Sequence, residues 1–238
     1  MRSNNLYCEL GMKLDETLLR DVGPFRNMPL DQIRKALDQA RPRRFEPHQV
    51  VFEEGDSADW FFLLLDGHIQ VERINRDGDR VVSLYIPPGQ LFGLAAALGR
   101  DTYPATAVAA VECLVLIWPT SQWGTYSEEF RGFAAETYKT VGNRVHEMHD
   151  RVMDLSTRHV EQRVASALLR LMQQNGRPSD VGVEIAFPVT RRLISEMTGS
   201  TLHTVSRLLS NWEREQIIRS RRKHINVLDA DRLAALTK

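Results

Sequence analysis

Cysteine is almost missing from this chain: 238 residues contain two, Cys8 and Cys113. Two thiols are too few for an iron–sulfur cluster held by four thiolates in one subunit, and Cys113 reads as a core residue of a β-strand. No apolar run approaches the roughly 20 residues needed to span a bilayer. Met1 to Leu14 also lacks the charged-then-apolar order of a signal peptide. The expected location is therefore the cytoplasm, with no membrane partner. Catalytic signatures are missing as well: there is no nucleophile elbow, phosphate loop or metal-spaced cluster. The seven histidines, His48, His68, His146, His149, His159, His203 and His224, are scattered, and only His68 falls on an obvious strand. Neither an enzyme nor a metal site is expected.

Net charge is missing too, since 31 Lys and Arg balance 31 Asp and Glu. The balance hides an asymmetry. Residues 1–155 hold 17 basic against 23 acidic side chains and carry −6, whereas residues 156–238 hold 14 against 8 and carry +6. Basic groups gathered in one module supply the counterion-release part of DNA binding, and an acidic remainder keeps off the phosphates.

Within that basic module, residues 198–209 read Thr-Gly-Ser-Thr-Leu-His-Thr-Val-Ser-Arg-Leu-Leu. Leu202, Val205, Leu208 and Leu209 fall at helical spacing and can face a core, which leaves Thr201, His203, Thr204, Ser206 and Arg207 looking outward. Upstream, Thr190 can cap a short helix through Arg191, Leu193, Ile194 and Met197, and Gly199 supplies the turn between the two. The pattern predicts a helix-turn-helix whose second helix enters the DNA major groove. Ile217–Ile218 and Ile225–Leu228 then read as a small hairpin around the basic run 219–224, the wing of a winged helix-turn-helix, with a further helix expected near 159–174.

The first half is different. Residues 15–40 look helical, with Leu30, Ile33, Ala36 and Leu37 on one face. Short β-type runs follow at Val50–Phe52, Trp60–Leu65, His68–Ile74, Val81–Tyr85 and Ala105–Ile117, punctuated by Gly55, Gly67, Gly78, Gly89 and Gly99. Many short strands at this spacing predict a barrel or jelly roll. A long helix is expected from about Ser127 to Leu155. On it Ala134, Tyr138, Val141, Val145, Met148, Val152 and Leu155 step alternately by four and three, a heptad seam of about three heptads that predicts a parallel coiled-coil homodimer. The fold class is α+β. The expected domains are a β-barrel over residues 15–126, a dimerisation helix over 127–157 and a winged helix-turn-helix over 158–238.

Barrel, long helix and winged helix-turn-helix, in that order, resemble the CRP/FNR superfamily of bacterial transcription regulators from about residue 20 onward. Residues 55–67, Gly-Asp-Ser-Ala-Asp-Trp-Phe-Phe-Leu-Leu-Leu-Asp-Gly, are similar to the family's glycine-bounded barrel segment, and Pro88-Gly89-Gln90-Leu91-Phe92-Gly93 to the turn entering its effector cassette. Residues 159–174 are similar to the helix after the dimer seam, and 189–214 match the helix-turn-helix without a gap. The resemblance implies a homodimer that binds double-stranded DNA, senses a small-molecule or redox signal in its barrel, and works with RNA polymerase. It places the effector pocket at Gly93, Leu94, Tyr103, Pro104 and Ala105. Members that bind cyclic nucleotides carry a Glu after that glycine for the ribose, and an Arg-Ser or Arg-Thr pair for the cyclic phosphate. Here Leu94, Tyr103 and Pro104 stand in those places. A buried phosphate without its guanidinium would cost roughly several kcal/mol, so cyclic AMP is not expected to bind in the usual mode. Residues 103–107 are similar to the nitric-oxide-responsive DNR/NnrR-like branch, which implies haem as a cofactor, with no attachment motif to name its ligand. The alternative is a constitutive regulator whose vestigial barrel binds no effector.

The family's base-reading positions align to Leu202, His203 and Arg207, with Ser206 adjacent. Arg207 can donate two hydrogen bonds to guanine O6 and N7. His203 replaces a Glu that accepts from cytosine, so the half-site is expected to depart from the family's usual TGA at one base pair. Thr190, Arg191, Thr201 and Thr204, with Arg221, Arg222 and Lys223 of the wing, are expected on phosphates, where they set register.

Overall fold

The computed structural model describes residues 15–237 except 27, 76, 77, 79, 131, 222 and 223; Cys8, Arg222 and Lys223 lie outside the described residues. Helices α1 (Thr17–Arg20) and α2 (Leu30–Gln39) precede eight strands: β1 (Arg41–Phe45), β2 (Val50–Phe52), β3 (Trp60–Asp66), β4 (Ile69–Ile74), β5 (Arg80–Ile86), β6 (Leu91–Phe92), β7 (Thr106–Ala109) and β8 (Cys113–Pro119). Helices α3 (Trp123–Glu129), α4 (Phe133–Thr157) and α5 (Val160–Asn175) follow. The chain closes with β9 (Gly176–Ser179), β10 (Gly182–Ile185), α6 (Arg191–Thr198), α7 (Leu202–Arg214), β11 (Ile218–Arg221), β12 (His224–Val227) and α8 (Ala230–Ala235). Two compact units divide it. The first holds the described residues up to Val71 with Tyr85–Val145, and the second holds Glu72–Leu84 with the residues from His146 onward.

The barrel strands form two four-stranded sheets, ordered β1-β8-β3-β6 and β2-β7-β4-β5. Strand β3 explains why both faces of the first sheet are dry. Its run Trp-Phe-Phe-Leu-Leu-Leu is apolar at every position, and alternation sends Phe61 and Leu63 to one face and Phe62 and Leu64 to the other. Phe61 meets Trp118 of β8 directly across the ladder, and its ring stacks at 5.5 Å. Around this pair pack Phe25, Ile33, Trp123, Tyr126 and Phe133 from the flanking helices. The Trp118 indole N–H donates to the Ala36 carbonyl at 2.8 Å, which ties α2 to the sheet. On the other face Phe62 stacks with Phe52 and Phe92.

Several boundaries differ from the sequence expectation. The run 105–117 is two strands, β7 and β8, in different sheets; residues 110–112, Ala-Val-Glu, carry no Gly or Pro to mark the corner. Strand β1, Arg-Pro-Arg-Arg-Phe, has no strand signature, but it lies at a sheet edge, where proline is tolerated. His68 lies in the turn before β4 rather than on a strand. The long helix does not begin at Ser127. Phe130 leaves the helical region and Gly132 adopts a φ of 100°, so α3 ends and α4 starts afresh at Phe133. That break allows Phe130 and Phe133 both to enter the aromatic cluster.

In the second unit, β11 and β12 form the expected hairpin, extended by β10 and β9 into a four-stranded antiparallel sheet. Strand β9 also escapes a sequence reading, because Gly-Arg-Pro-Ser is another edge strand. Asp229 caps α8 by accepting the Arg232 N–H at 2.9 Å.

Trp118→Ala removes a fully buried indole and orphans the Ala36 carbonyl. It should cost about 3–5 kcal/mol in urea unfolding; a loss below about 1 kcal/mol would show that the aromatic cluster is not the centre of the first unit.

Candidate nucleic-acid interface

The two helices at 191–214 are fixed locally by their caps. The Thr190 hydroxyl accepts the Leu193 N–H at 3.0 Å and starts α6. Gly199, at φ 58° and ψ 35°, ends it in the left-handed conformation that glycine adopts without steric cost. The Thr201 hydroxyl then accepts the Thr204 N–H at 3.2 Å and starts α7. Val205, Leu208, Leu209 and Trp212 bury one face of α7. Leu202 is not part of that stripe, contrary to the spacing argument, because it is 50% exposed. It joins His203, Ser206 and Arg207 on the outward face of the first turns, with His203 and Arg207 exposed and Ser206 half-buried.

Arg207 makes no hydrogen bond or ion pair among the described residues. The two carboxylates that could have claimed it are engaged elsewhere. Glu196 pairs with Arg192 at 2.8 Å, and Glu213 pairs with Arg191 at 3.7 Å while accepting the Ser220 N–H. Arg191 also reaches the Ser210 hydroxyl at 3.3 Å, so it enters any phosphate interaction from an existing pairing. Thr190, Thr201 and Thr204 use their hydroxyl oxygens within the helix caps, with the Thr201 and Thr204 oxygens 2.9 Å apart. Arg221 stands exposed at the end of β11.

A sequence reading misses what holds the turn. The last carbonyls of α6 lack intrahelical partners, and two guanidinium groups supply them. Arg151, from α4, donates to Met197 O and Glu196 O and also to Ser83 O of β5. Arg163, from α5, donates to Thr198 O at 3.1 Å and to Arg158 O at 3.0 Å. Burial pushes the Arg151 guanidinium down to about 10, with Arg170 nearby adding to the shift; it remains a cation at neutral pH. Buried Asp154 accepts from Arg158 and Arg170, at 3.0 and 2.8 Å. Since these partners are mostly backbone carbonyls, no side-chain pattern announces them.

Along α4 the apolar seam is uneven. Ala134 and Val141 are half-buried, whereas Tyr138, Val145, Met148, Val152 and Leu155 are exposed, Val145 and Val152 each at 60%. Leu155 lies beside Gly199, where a Cβ would meet its Cδ2 at 3.5 Å.

The five cassette residues do not converge on one cavity. Leu94 is buried in the Phe61–Trp118 cluster. Tyr103, 3% exposed, stacks on Phe52 at 3.8 Å inside the barrel, donates its hydroxyl to Trp60 O at 2.7 Å and is pushed up to about 12 by burial. Gly93, at φ 67°, lies so close that a Cβ would come within 2.6 Å of the Phe62 ring. Pro104 is exposed and Ala105 half-buried. His68 is the one buried imidazole among the described residues, and the others are exposed or half-buried. No cluster of three or more metal-ligating side chains occurs among the described residues. The Cys113 thiol, pushed up by burial, donates to His68 O and Val111 O. No described helix is long and apolar enough to cross a membrane.

A barrel followed by a winged helix-turn-helix defines a class, the DNA-binding transcription regulators with a sensor-type barrel. Residues 42–129 match the cyclic nucleotide-binding domain and residues 162–236 the Crp-like helix-turn-helix domain. The chain belongs to the CRP/FNR family of transcription regulators. It is 22% identical over 221 residues to the CRP-like cAMP-activated global transcriptional regulator of Mycobacterium tuberculosis, covering 93% of this chain and 98% of the relative. It is 23% identical over 207 residues to the fumarate and nitrate reduction regulatory protein of Escherichia coli, covering 87% and 82%. Among solved structures, FixK2 from Bradyrhizobium japonicum shares the fold at a TM-score of 0.74 and 22% identity, covering 84% of this chain and 98% of that one.

Tyr103 gives a pH signature. Its ordinary value is 10.0 and its folded value about 12, so the stability it carries is complete below pH 10 and is lost as pH rises towards 12. The denaturant midpoint should fall in that window, and fall less in Tyr103→Phe; parallel curves for the two proteins would contradict a buried, neutral Tyr103.

Proposed function

We propose that this regulator is a homodimer that reads two DNA half-sites with α7, the dimer forming along Tyr138, Val145, Met148, Val152 and Leu155. The observation that carries the reading is Arg207. A guanidinium that is exposed, unengaged among the described residues, and carried on a helix locked by its caps and its buried face is prepared for a guanine edge. Leu202 and Ser206 supply apolar and hydroxyl surfaces beside it, and His203 offers one acceptor nitrogen where a carboxylate would offer two oxygens. Thr190, Arg191, Thr201, Thr204 and Arg221 are assigned to phosphates, with Arg222 and Lys223 of the wing assigned to the same role from sequence.

The barrel is the sensor on this reading, and its signal is not cyclic AMP in the family's usual mode. Tyr103 fills with an aromatic ring the position that would carry the phosphate-binding guanidinium, and Leu94 turns the ribose-binding position into core. Calorimetric titration should detect no micromolar binding of cyclic AMP. The same filling favours a second reading, a constitutive regulator. Comparing DNA affinity with and without small cell metabolites, in air and anaerobically, separates the two, because only a sensor changes. Haem is the cofactor that the resemblance to the nitric-oxide-responsive branch implies; a Soret band after haem reconstitution, shifted by nitric oxide, would support it, and no band would rule it out.

Selection of bound DNA from a random pool defines the site. On it, Arg207→Ala should cost about 1–3 kcal/mol and relax one guanine position; an unchanged footprint would refute the role. Val145→Glu places a charge in the seam and should convert the dimer to a monomer in sedimentation, whereas a dimer of undiminished stability would place the interface elsewhere.

A further inference from the structure

We propose that the inner face of β1 carries a second ligand site, one for a small planar anion such as an aromatic monocarboxylate. Alternation along β1 puts Arg41, Arg43 and Phe45 on one face. The ladder sets Arg41 opposite Ile117, and Ile117 opposite Phe62, so the three share that face across β1, β8 and β3. These side chains, with Trp60, line a cavity of about 160 Å³. A cavity of about 150 Å³ accepts one benzene ring, so the space suits a single six-membered ring.

The charges decide what that ring carries. The Arg41 guanidinium lies 5.3 Å from the Trp60 ring centroid, and that of Arg43 lies 4.6 Å from the Phe45 ring centroid. A guanidinium held over an aromatic face does not spend its N–H donors on that contact, so Arg43 keeps them for a planar acid. The contrast with the neighbouring residue is informative. Arg44, on the opposite face of β1, is paired with Glu112 at 2.6 Å. Arg43, half-buried and turned inward, makes no hydrogen bond or ion pair among the described residues. Arg43, with no ion-pair partner among the described residues, shares the cavity with the aromatic faces of Phe45, Trp60 and Phe62; the unpaired guanidinium calls for an anion and the aromatic walls for a flat one. The site adjoins the cassette at Gly93–Ala105 but shares no lining residue with it, and the cassette's Tyr103 and Leu94 are already packed. It rests on the barrel's geometry alone and does not depend on how the protein acts on DNA.

The test uses the full chain, with benzoate as probe and benzamide as its neutral analogue of the same shape, read by calorimetry and by protein-detected NMR. Benzoate should bind at millimolar concentration, and benzamide at least about tenfold more weakly, the ratio expected when a charge-assisted pair is lost. Arg43→Gln should weaken benzoate by a similar factor at unchanged melting temperature, and Val51→Phe, which fills the cavity from the facing strand, should abolish binding while Arg43 is kept. Inorganic phosphate should not compete. No binding at millimolar benzoate, equal binding of benzamide, indifference to both substitutions, or competition by phosphate would each overturn the proposal. None of these readouts involves DNA, so a failure here leaves the DNA-binding reading standing, and the reverse holds too.

Discussion

On the proposed reading, self-association depends on one row of side chains along α4. Tyr138, Val145, Met148, Val152 and Leu155 keep apolar surface in water on α4. Burying such side chains is worth on the order of 1 kcal/mol or more each, and the heptad spacing is the reason for proposing a like helix as the partner that covers them. On the proposed reading, self-association follows from that constraint. Two copies of α7 are then brought into fixed separation, and a DNA site with two halves becomes the natural target.

What α7 presents is set by a short-range mechanism that the long helix shares. The turn between α6 and α7 is shaped by Gly199 and held by Arg151 and Arg163, which satisfy the carbonyls at the end of α6. Arg151 also holds Ser83 of β5, and Leu155 lies against the turn itself. One segment of α4 therefore carries both part of the proposed dimer surface and part of the support for the reading head. In the first unit the corresponding economy lies in β3. Phe61 and Leu63 hold the helices, Phe62 and Leu64 line the barrel interior, and consecutive residues serve two cores.

Much of this is legible in the chain. The helices at 191–198 and 202–214 announce themselves because cap, glycine and apolar stripe agree at each end, so local and tertiary preferences coincide. The wing hairpin and the strands at 50–52, 60–66 and 69–74 are visible for the same reason. The failures have causes too. Strands β1 and β9 are edges built from Arg, Pro, Gly and Ser, whose sequence carries no core-facing alternation. The division of the long helix turns on Gly132, and the corner between β7 and β8 carries no Gly or Pro. The effector cassette reads as a pocket by resemblance, yet Leu94 and Tyr103 join two different cores, which depends on neighbours far away in sequence. Arg151 looks like one more polar helix residue, because its partners are backbone carbonyls.

The central claim is that two copies of this chain read one duplex through α7. Its most direct test is the stoichiometry of the complex, measured by sedimentation on a duplex carrying the selected site as an inverted repeat with half-site centres about 10 base pairs, or a multiple of that turn, apart. The account predicts two protomers per duplex, and a steep loss of affinity when one half-site is scrambled or the spacing is shifted by half a turn. One protomer per duplex, bound as tightly to a single half-site as to the repeat, would contradict it.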